Sequence, residues 1–135
     1  MYKTKTEPTS SSEYREIENL ARDHHNKIAR TSKRNPYVRS AFFKKDKVFI
    51  KLFWAHLNQK PKYERKRRLK YYSCAIEIIQ KSKAEPLIKK PNPDKSKSMV
   101  YRFEASTPKG QIIYVQIKED LRTGNKHFIS VFAKK

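Results

Sequence analysis

Histidine, lysine and arginine are concentrated in one short segment of the chain, and these residue types could act together on a phosphodiester. In the segment His56–Lys70, seven Lys or Arg fall between Lys60 and Lys70, with Glu64 as the one acid. An imidazole can carry a proton near neutral pH, and fixed cations can stabilise charge on phosphoryl oxygens. With an RNA 2′-hydroxyl as the nucleophile, such cleavage needs no metal ion. The segment therefore predicts a site for RNA cleavage.

Two of these residues, His56 and Lys60, are four positions apart in a stretch that favours a helix. Side chains at this spacing share one helical face, so we expect His56 to carry the proton and Lys60 to stabilise the phosphate. The rest of the run covers more than one helical face, and most of its cations are predicted to attract RNA from a solvated surface. The predicted RNA-binding cations, three of them later in the chain, are Lys62, Arg65, Lys66, Arg67, Lys70, Arg102, Lys118 and Lys126.

The other candidate reactive residues favour structural roles. His24, His25 and His127 are simplest to interpret as surface or packing histidines, and Cys74 lies on an apolar helical pattern that predicts a buried thiol. No HExxH, CxxC or carboxylate pair at coordinating spacing occurs, so we expect no metal and no cofactor. The two glycines of the chain exclude a glycine-rich phosphate loop.

The charge of the chain predicts a polyanionic partner. The formal net charge is +20, and residues 41–135 carry twenty-four basic and eight acidic side chains, against nine and five in residues 1–40. RNA is the expected partner, with tRNA as a candidate, and an acidic antitoxin or immunity protein would suit the same surface. No apolar run approaches the roughly 20 residues of a membrane span, so we expect no membrane and a cytoplasmic location, in the producing or the target cell.

Helical periodicity dominates the first half of the chain, after a polar segment, residues 1–12, that we expect to be a disordered lead. The predicted helices cover residues 12–31, 50–59 and 62–83. Residues 41–50 favour a small hairpin or a lead-in to the second helix. The predicted division is a polar lead and helical arm over residues 1–40, followed by a nuclease domain over residues 41–135.

Alternation with a period of two dominates the second half of the chain. The predicted strands cover residues 99–105, 111–119 and 127–133, with a further edge strand at 86–90. Turns at Pro108–Gly110 and at Gly124-Asn125 link them as hairpins. The chain is therefore predicted to be an α+β protein in which N-terminal helices precede a four-stranded antiparallel β-sheet.

Short motifs in the last 90 or so residues carry a family resemblance. The motifs are FWAHLNQK at 53–60, ERKRRLKYYSCAIEIIQKSKAEP at 64–86, YRFEASTPKG at 101–110, YVQIKED at 114–120 and FISVF at 128–132. From about residue 47 onward the chain resembles phage- and plasmid-borne nucleases of the barnase, EndoU, colicin-nuclease and RelE-like (BECR) superfamily. The resemblance implies a helical segment packed on a four-stranded antiparallel sheet, with the active site between them.

The resemblance also implies a set of catalytic residues. In colicin-type relatives a His and a Lys from a helix act with a hydroxyl residue on the last strand, and His56, Lys60 and Ser130 match these. Arg68 resembles the helix arginine of the family, and Gln116 lies in its QIK strand motif. Barnase-type enzymes use a Glu as base, and no equivalent stands out here, so the acid and base roles stay open.

The function predicted from the residues and the resemblance together is that of an endoribonuclease of toxin or effector type. Two alternatives stay open: a non-catalytic RNA- or DNA-binding module, and a basic partner of an acidic antitoxin or immunity protein. Cleavage of RNA without metal, and its loss in a His56 variant, would distinguish the first function from the others.

Overall fold

The structure is a computed structural model that describes residues 1–32, 34–92 and 97–134. Within these ranges the chain forms four helices and seven strands. The helices are α1 (Tyr14–Ala29), α2 (Lys51–Leu57), α3 (Lys62–Leu69) and α4 (Tyr72–Lys81). The strands are β1 (Tyr2–Lys3), β2 (Tyr37–Arg39), β3 (Lys47–Phe49), β4 (Ile88–Pro91), β5 (Ser98–Ser106), β6 (Ile112–Asp120) and β7 (Lys126–Ala133). The α+β class is thus as predicted, with a different sheet.

The strands of the described residues form one mixed, curled sheet, so the predicted four-stranded antiparallel sheet is wrong. The strand order is β1-β5-β6-β7-β3-β2, and β4 pairs with β5 on the edge that β1 also uses. Strands β4 to β7 are antiparallel to their neighbours, but β1 runs parallel to β5 and β3 runs parallel to β7. Strands β1, β2 and β3 have only two or three residues each, too few to show alternation in the sequence.

The N-terminal segment is held on the sheet and on α4, so the expected disordered lead is wrong. Tyr2 pairs with Ala105 of β5. The Glu77 carboxylate accepts hydrogen bonds from the Tyr2 hydroxyl at 2.6 Å and from the backbone N–H groups of Lys5 and Thr6, both at 2.8 Å. Burial alone would raise the pKa of Glu77, but these hydrogen bonds lower it below its ordinary value.

Helix α1 packs on the main body of the protein, a question that the sequence left open. Its residues Ile17 and Ala21 are 0% and 3% exposed and belong to the same apolar core as the sheet. The helix contacts α3, α4 and β2. Whether residues 1–40 and 41–135 are separate units stays a prediction, because packing in the folded state does not show which segments fold alone.

The basic run and the apolar pattern after it form two helices, so the single predicted helix over residues 62–83 is wrong. Helix α3 ends at Leu69 and α4 begins at Tyr72. The backbone N–H of Thr9 donates to the carbonyl of Lys70 at 3.0 Å, so the crossing N-terminal segment takes an acceptor that a continuous helix would use. Tyr71, at φ −104° and ψ 6°, leaves the helical conformation between them.

Aromatic rings connect the helices to the sheet. Phe53 of α2 stacks on Phe128 of β7 with ring centroids 4.7 Å apart and planes inclined by 9°. Tyr72 of α4 contacts both rings, and Trp54 lies 5.3 Å from Tyr72. Cys74 is buried as predicted, and burial raises the pKa of its thiol to about 11. None of the described helices is long and apolar enough to cross a membrane.

His25 makes the docking of α1 sensitive to pH. The indole N–H of Trp54 donates to His25 Nδ1 at 3.0 Å, so that nitrogen must be unprotonated. Burial, then the charges of Arg22, Lys51 and His24, lowers the pKa of His25 below its ordinary value of 6.5. The unfolded chain therefore binds this proton more readily, and the free energy of unfolding decreases as pH falls through the ordinary histidine range.

We expect the urea midpoint of unfolding, followed by Trp54 fluorescence, to fall between about pH 7.5 and about pH 5.5. The variant His25→Asn should show a weaker dependence, because an Asn side chain can accept the indole N–H without titrating. A midpoint in His25→Asn that falls with pH as steeply as in the wild type would contradict this role for His25.

Candidate active site

A β-bulge in β7 decides which way Ser130 faces. Gln116 of β6 pairs with Ser130, but the following residue of β6 pairs with Phe128, so Ile129 is the extra residue of the bulge. Phe128 and Val131 are both buried although they are three positions apart, which regular alternation does not allow. The bulge thus turns Ser130 away from the core and onto the side of Gln116. We call this side of strands β5 to β7 the outer face.

One row of residues on the outer face is hydrogen-bonded by two arginines. Arg102, Gln116 and Ser130 are register partners across β5, β6 and β7. Arg102 donates to Gln116 Oε1 from Nε at 3.0 Å and from Nη2 at 2.9 Å, while Arg68 of α3 donates from Nη1 to Ser130 Oγ. Glu64 also holds Arg68, with Nε and Oε2 3.4 Å apart. The structure therefore brings together three predicted catalytic residues and one predicted RNA-binding cation.

Aromatic rings lie beside these guanidinium groups. Tyr114 and Phe132 occupy the next row of the outer face, with ring centroids 5.5 Å apart. The guanidinium carbons of Arg68 and Arg102 each lie 5.4 Å from the Phe132 centroid, and that of Arg102 is 5.7 Å from the Tyr114 centroid. The two cations thus share one small region of the outer face, bordered by rings on which a base could stack.

His56 lies in the last turn of α2, which packs along β7. Burial, followed by the nearby cations Lys118 and Lys60, lowers the pKa of its imidazole below the ordinary value of 6.5. Lys118 is two positions after Gln116 on β6 and therefore projects from the outer face. His56 is thus neutral at pH 7 and lies within the electric field of an outer-face cation.

The predicted relation between His56 and Lys60 is wrong in its geometry. Helix α2 ends at Leu57, and the backbone N–H of Lys60 donates to the Leu57 carbonyl at 3.0 Å in a turn that follows the helix. The two side chains therefore do not share a helical face. Pro61 lies at the start of α3, where its missing N–H costs no helical hydrogen bond. The charge of Lys60 still acts on His56 through the turn.

His127 lies on the outer face, which agrees with the expected surface or packing role. It pairs with Lys118 across β6 and β7, and its ring centroid lies 5.6 Å from that of Phe49. Burial and then Lys118 lower its pKa, while Asp120 opposes them. Counting residues outward along β6 and β7 from the turn at Gly124 predicts the pairing of His127 with Lys118, so the position of His127 could be inferred from the sequence.

The cations of the basic run divide between two surfaces. Lys62 Nζ and the guanidinium carbon of Arg65 lie 5.1 Å and 5.8 Å from the ring of Tyr14, so both residues face α1. Arg67 is paired with Glu64 at 3.2 Å, and its side chain is 55% exposed. Lys66 and Lys70 are half-buried. Arg68 of the same helix instead faces the sheet, where it hydrogen-bonds Ser130.

Lys126, a predicted RNA-binding residue, lies away from the outer face. Its side chain is 8% exposed, and Nζ is 3.0 Å from Asp46 Oδ2 and 3.4 Å from Glu119 Oε2. These carboxylates satisfy the ammonium group inside the protein. Lys126 therefore stabilises the packing of β7 on the loop before β3, and the structure does not present it to a ligand.

Comparisons of the chain with protein-family models, with curated proteins and with solved structures found no match. The resemblance to BECR nucleases therefore stays a prediction. Within residues 1–32, 34–92 and 97–134, no group of three or more His, Cys, Asp or Glu side chains could hold a metal ion.

Lys118 and Lys126 offer a matched pair of variants, since each substitution by Met removes one positive charge. We expect Lys126→Met to lower the free energy of unfolding by about 1–3 kcal/mol, because it leaves the Glu119 carboxylate without its buried partner. Its affinity for RNA should stay within about twofold of the wild type, while Lys118→Met weakens binding and reduces the slope of log Kd against log salt concentration by about one.

Urea unfolding and fluorescence anisotropy with labelled tRNA measure the two effects. Equal losses of RNA affinity in Lys118→Met and Lys126→Met would contradict the assignment of the RNA-binding surface to the outer face.

Proposed function

We propose that this protein is a metal-independent endoribonuclease of toxin or effector type, which cleaves RNA by attack of a 2′-hydroxyl on the adjacent phosphodiester. One arrangement carries the proposal: Arg68 and Arg102 are held on Ser130 and Gln116 in one row, and the neutral His56 lies on α2, which packs along β7. This arrangement supports the chemistry because it supplies phosphate donors on the outer face and a proton acceptor on a helix that packs along the same strand.

Arg68 is the principal phosphate ligand in this proposal. A guanidinium group has five N–H donors, and the bonds from Arg68 to Ser130 and Glu64 use its Nη1 and Nε atoms. The remaining N–H groups can donate to the phosphoryl oxygens, with Lys60 as a second cation. Because the donors are fixed before the reaction, they stabilise the negative charge that develops on those oxygens.

Gln116 and Ser130 position the phosphate. Gln116 Oε1 accepts both hydrogen bonds from Arg102, which fixes the amide so that its N–H groups can donate to a phosphoryl oxygen. The Ser130 hydroxyl accepts from Arg68 and can donate its own proton to another oxygen. Both roles depend on the bulge that places Ser130 on the outer face.

His56 acts as the base, since its lowered pKa leaves the imidazole neutral at pH 7. It takes the proton of the 2′-hydroxyl while the 2′-oxygen forms a bond to phosphorus. The bond from phosphorus to the 5′-oxygen breaks, and that oxygen takes a proton from a protonated group of the site or from water. The products are a 2′,3′-cyclic phosphate and a 5′-hydroxyl.

RNA is the proposed partner because this reaction requires the 2′-hydroxyl, and tRNA is the first substrate to test. The net charge of +20 supports binding of a polyanion, and salt weakens this binding by screening the charge. The rings of Tyr114 and Phe132 beside two guanidinium groups also favour a second candidate, a non-catalytic RNA- or DNA-binding module. An acidic antitoxin or immunity protein that covers this basic surface is compatible with both functions.

Incubation of total RNA and tRNA with the protein in EDTA tests the proposal. We expect fragments that end in 2′,3′-cyclic phosphate, and a rate about 10²- to 10⁴-fold lower for His56→Ala, because the general base is removed. His24→Ala is the control, since His24 instead hydrogen-bonds Ser73 at 2.8 Å. Intact RNA after incubation with the wild type, or equal cleavage by both variants, would refute the proposal, and binding without any product would favour the non-catalytic module.

The variants Arg68→Lys and Arg65→Lys test the role of the guanidinium group with one substitution at two positions of α3. Arg68→Lys should lower the cleavage rate by at least about tenfold, because an ammonium group cannot hold Ser130 and a phosphate in a planar fork. Arg65→Lys should retain a rate within about twofold of the wild type, since Arg65 faces Tyr14. Steady-state cleavage of a labelled tRNA measures both, and equal rates for the two variants would exclude Arg68 as the phosphate ligand.

A further inference from the structure

A cavity of about 360 Å³ opens beside the proposed phosphate site, between α3 and the end of β7. Arg68 and Phe132 line the cavity; Arg68 also hydrogen-bonds Ser130, and Phe132 lies in the next row of the outer face. A molecule that binds Arg68 through a phosphate can therefore extend directly into the cavity. The volume lies at the lower end of the range of small-molecule sites and exceeds what a phosphate alone would fill.

The lining of the cavity combines a ring surface and hydrogen-bond acceptors with four cations, Arg67, Arg68, Lys70 and Lys134. Phe132 and Tyr71 supply aromatic surface, while the Glu64 carboxylate and the Gln111 amide supply acceptor oxygens. Gln111 is exposed and lies at the rim of the cavity, where its side chain acts on the pKa of Tyr71. Nucleobases stack on aromatic and guanidinium planes and present N–H donors at their edges, so this lining matches a base next to a bound phosphate.

The geometry points to a binding site for an unpaired nucleobase in this cavity, next to the phosphate held by Arg68. The inference rests on the proposed function for the identity of that phosphate as the scissile one. A base in a duplex has its pairing edge occupied and both faces stacked, so it cannot enter a cavity between a helix and a sheet. The substrate class is therefore RNA with an unpaired nucleotide at the cleaved position, as in a loop or a single strand.

Binding of a 2′-O-methyl oligouridylate tests this site without turnover, because the probe lacks the nucleophilic hydroxyl. Its dissociation constant is measured by fluorescence anisotropy for the single strand and for its duplex with 2′-O-methyl oligoadenylate, at one salt concentration. Phe132→Leu should weaken binding of the single strand about tenfold and of the duplex by less than about twofold, because it removes the stacking ring and no charge.

Phe42→Leu is the matched control, since Phe42 is also half-buried but packs on Phe103 from the core side, with ring centroids 5.2 Å apart. It should leave both dissociation constants within about twofold of the wild type. If Phe132→Leu leaves binding of the single strand unchanged, or weakens binding of both probes equally, the inference is overturned.

A second variant, Gln111→Ala, keeps the test decisive if Phe132→Leu proves unstable. Gln111 is exposed, so its truncation should not affect folding. We expect Gln111→Ala to change the relative affinities for oligouridylate, oligocytidylate and oligoadenylate by about threefold or more, because the amide contacts a base edge. Unchanged relative affinities would also overturn the inference.

The outcome is separable from that of the proposed function. If the protein cleaves RNA but Phe132→Leu binds the single strand as tightly as the wild type, the base site is overturned and the proposed nuclease function is retained. Binding of the single strand that depends on Phe132, without any RNA cleavage, would support the base site on a non-catalytic module.

Discussion

The stack of Phe53 on Phe128 is the contact on which the arrangement of this protein depends. It joins α2 to β7, and the ring of Tyr72 ties α4 to the same point. His56 lies one helical turn after Phe53, and Ser130 lies two residues after Phe128. The proposed proton carrier and one of the proposed phosphate-positioning groups therefore each lie within three residues of a ring that is buried in the core. Precise placement of this kind is what general base catalysis requires.

The charge of the chain imposes a second constraint, and the few acidic residues are used to orient cations. Glu64 lies within 3.4 Å of Arg68 and within 3.2 Å of Arg67, so one carboxylate restrains two guanidinium groups of α3. Glu119 and Asp46 neutralise Lys126 where it is buried. A net charge of +20 opposes compaction by self-repulsion. The fold limits this repulsion because most cations lie at the surface, while those that it holds in place, such as Arg68 and Lys126, are paired with carboxylates.

The sequence predicted the longest helix and the long strands correctly. It did not predict the features that depend on contacts between segments far apart in the chain. Strands β5 and β6 and helix α1 follow from periodicity, because nine strand residues or sixteen helix residues show their period clearly. The parallel pairings of β1 and β3 depend on partners far along the chain, which no local pattern reports. The position of Ser130 depends on the extra residue Ile129, because alternation counted from the buried Phe128 would turn that serine towards the core. Lys60 likewise does not share a helical face with His56, because α2 ends at Leu57.

The break between α3 and α4 shows how a contact between distant segments, here Thr9 with Lys70, shapes the proposed site. Arg68 and Tyr72 are four positions apart, so a continuous helix would place them on one face. Tyr72 is 0% exposed, and that face would carry the guanidinium of Arg68 into the aromatic core at a high desolvation cost. Because the helix is interrupted at Lys70 and Tyr71, Tyr72 can stay in the core while Arg68 turns to Ser130, sixty-two positions away. The interruption thus separates a residue that stabilises the fold from the proposed phosphate ligand, although the two are only four positions apart in the sequence.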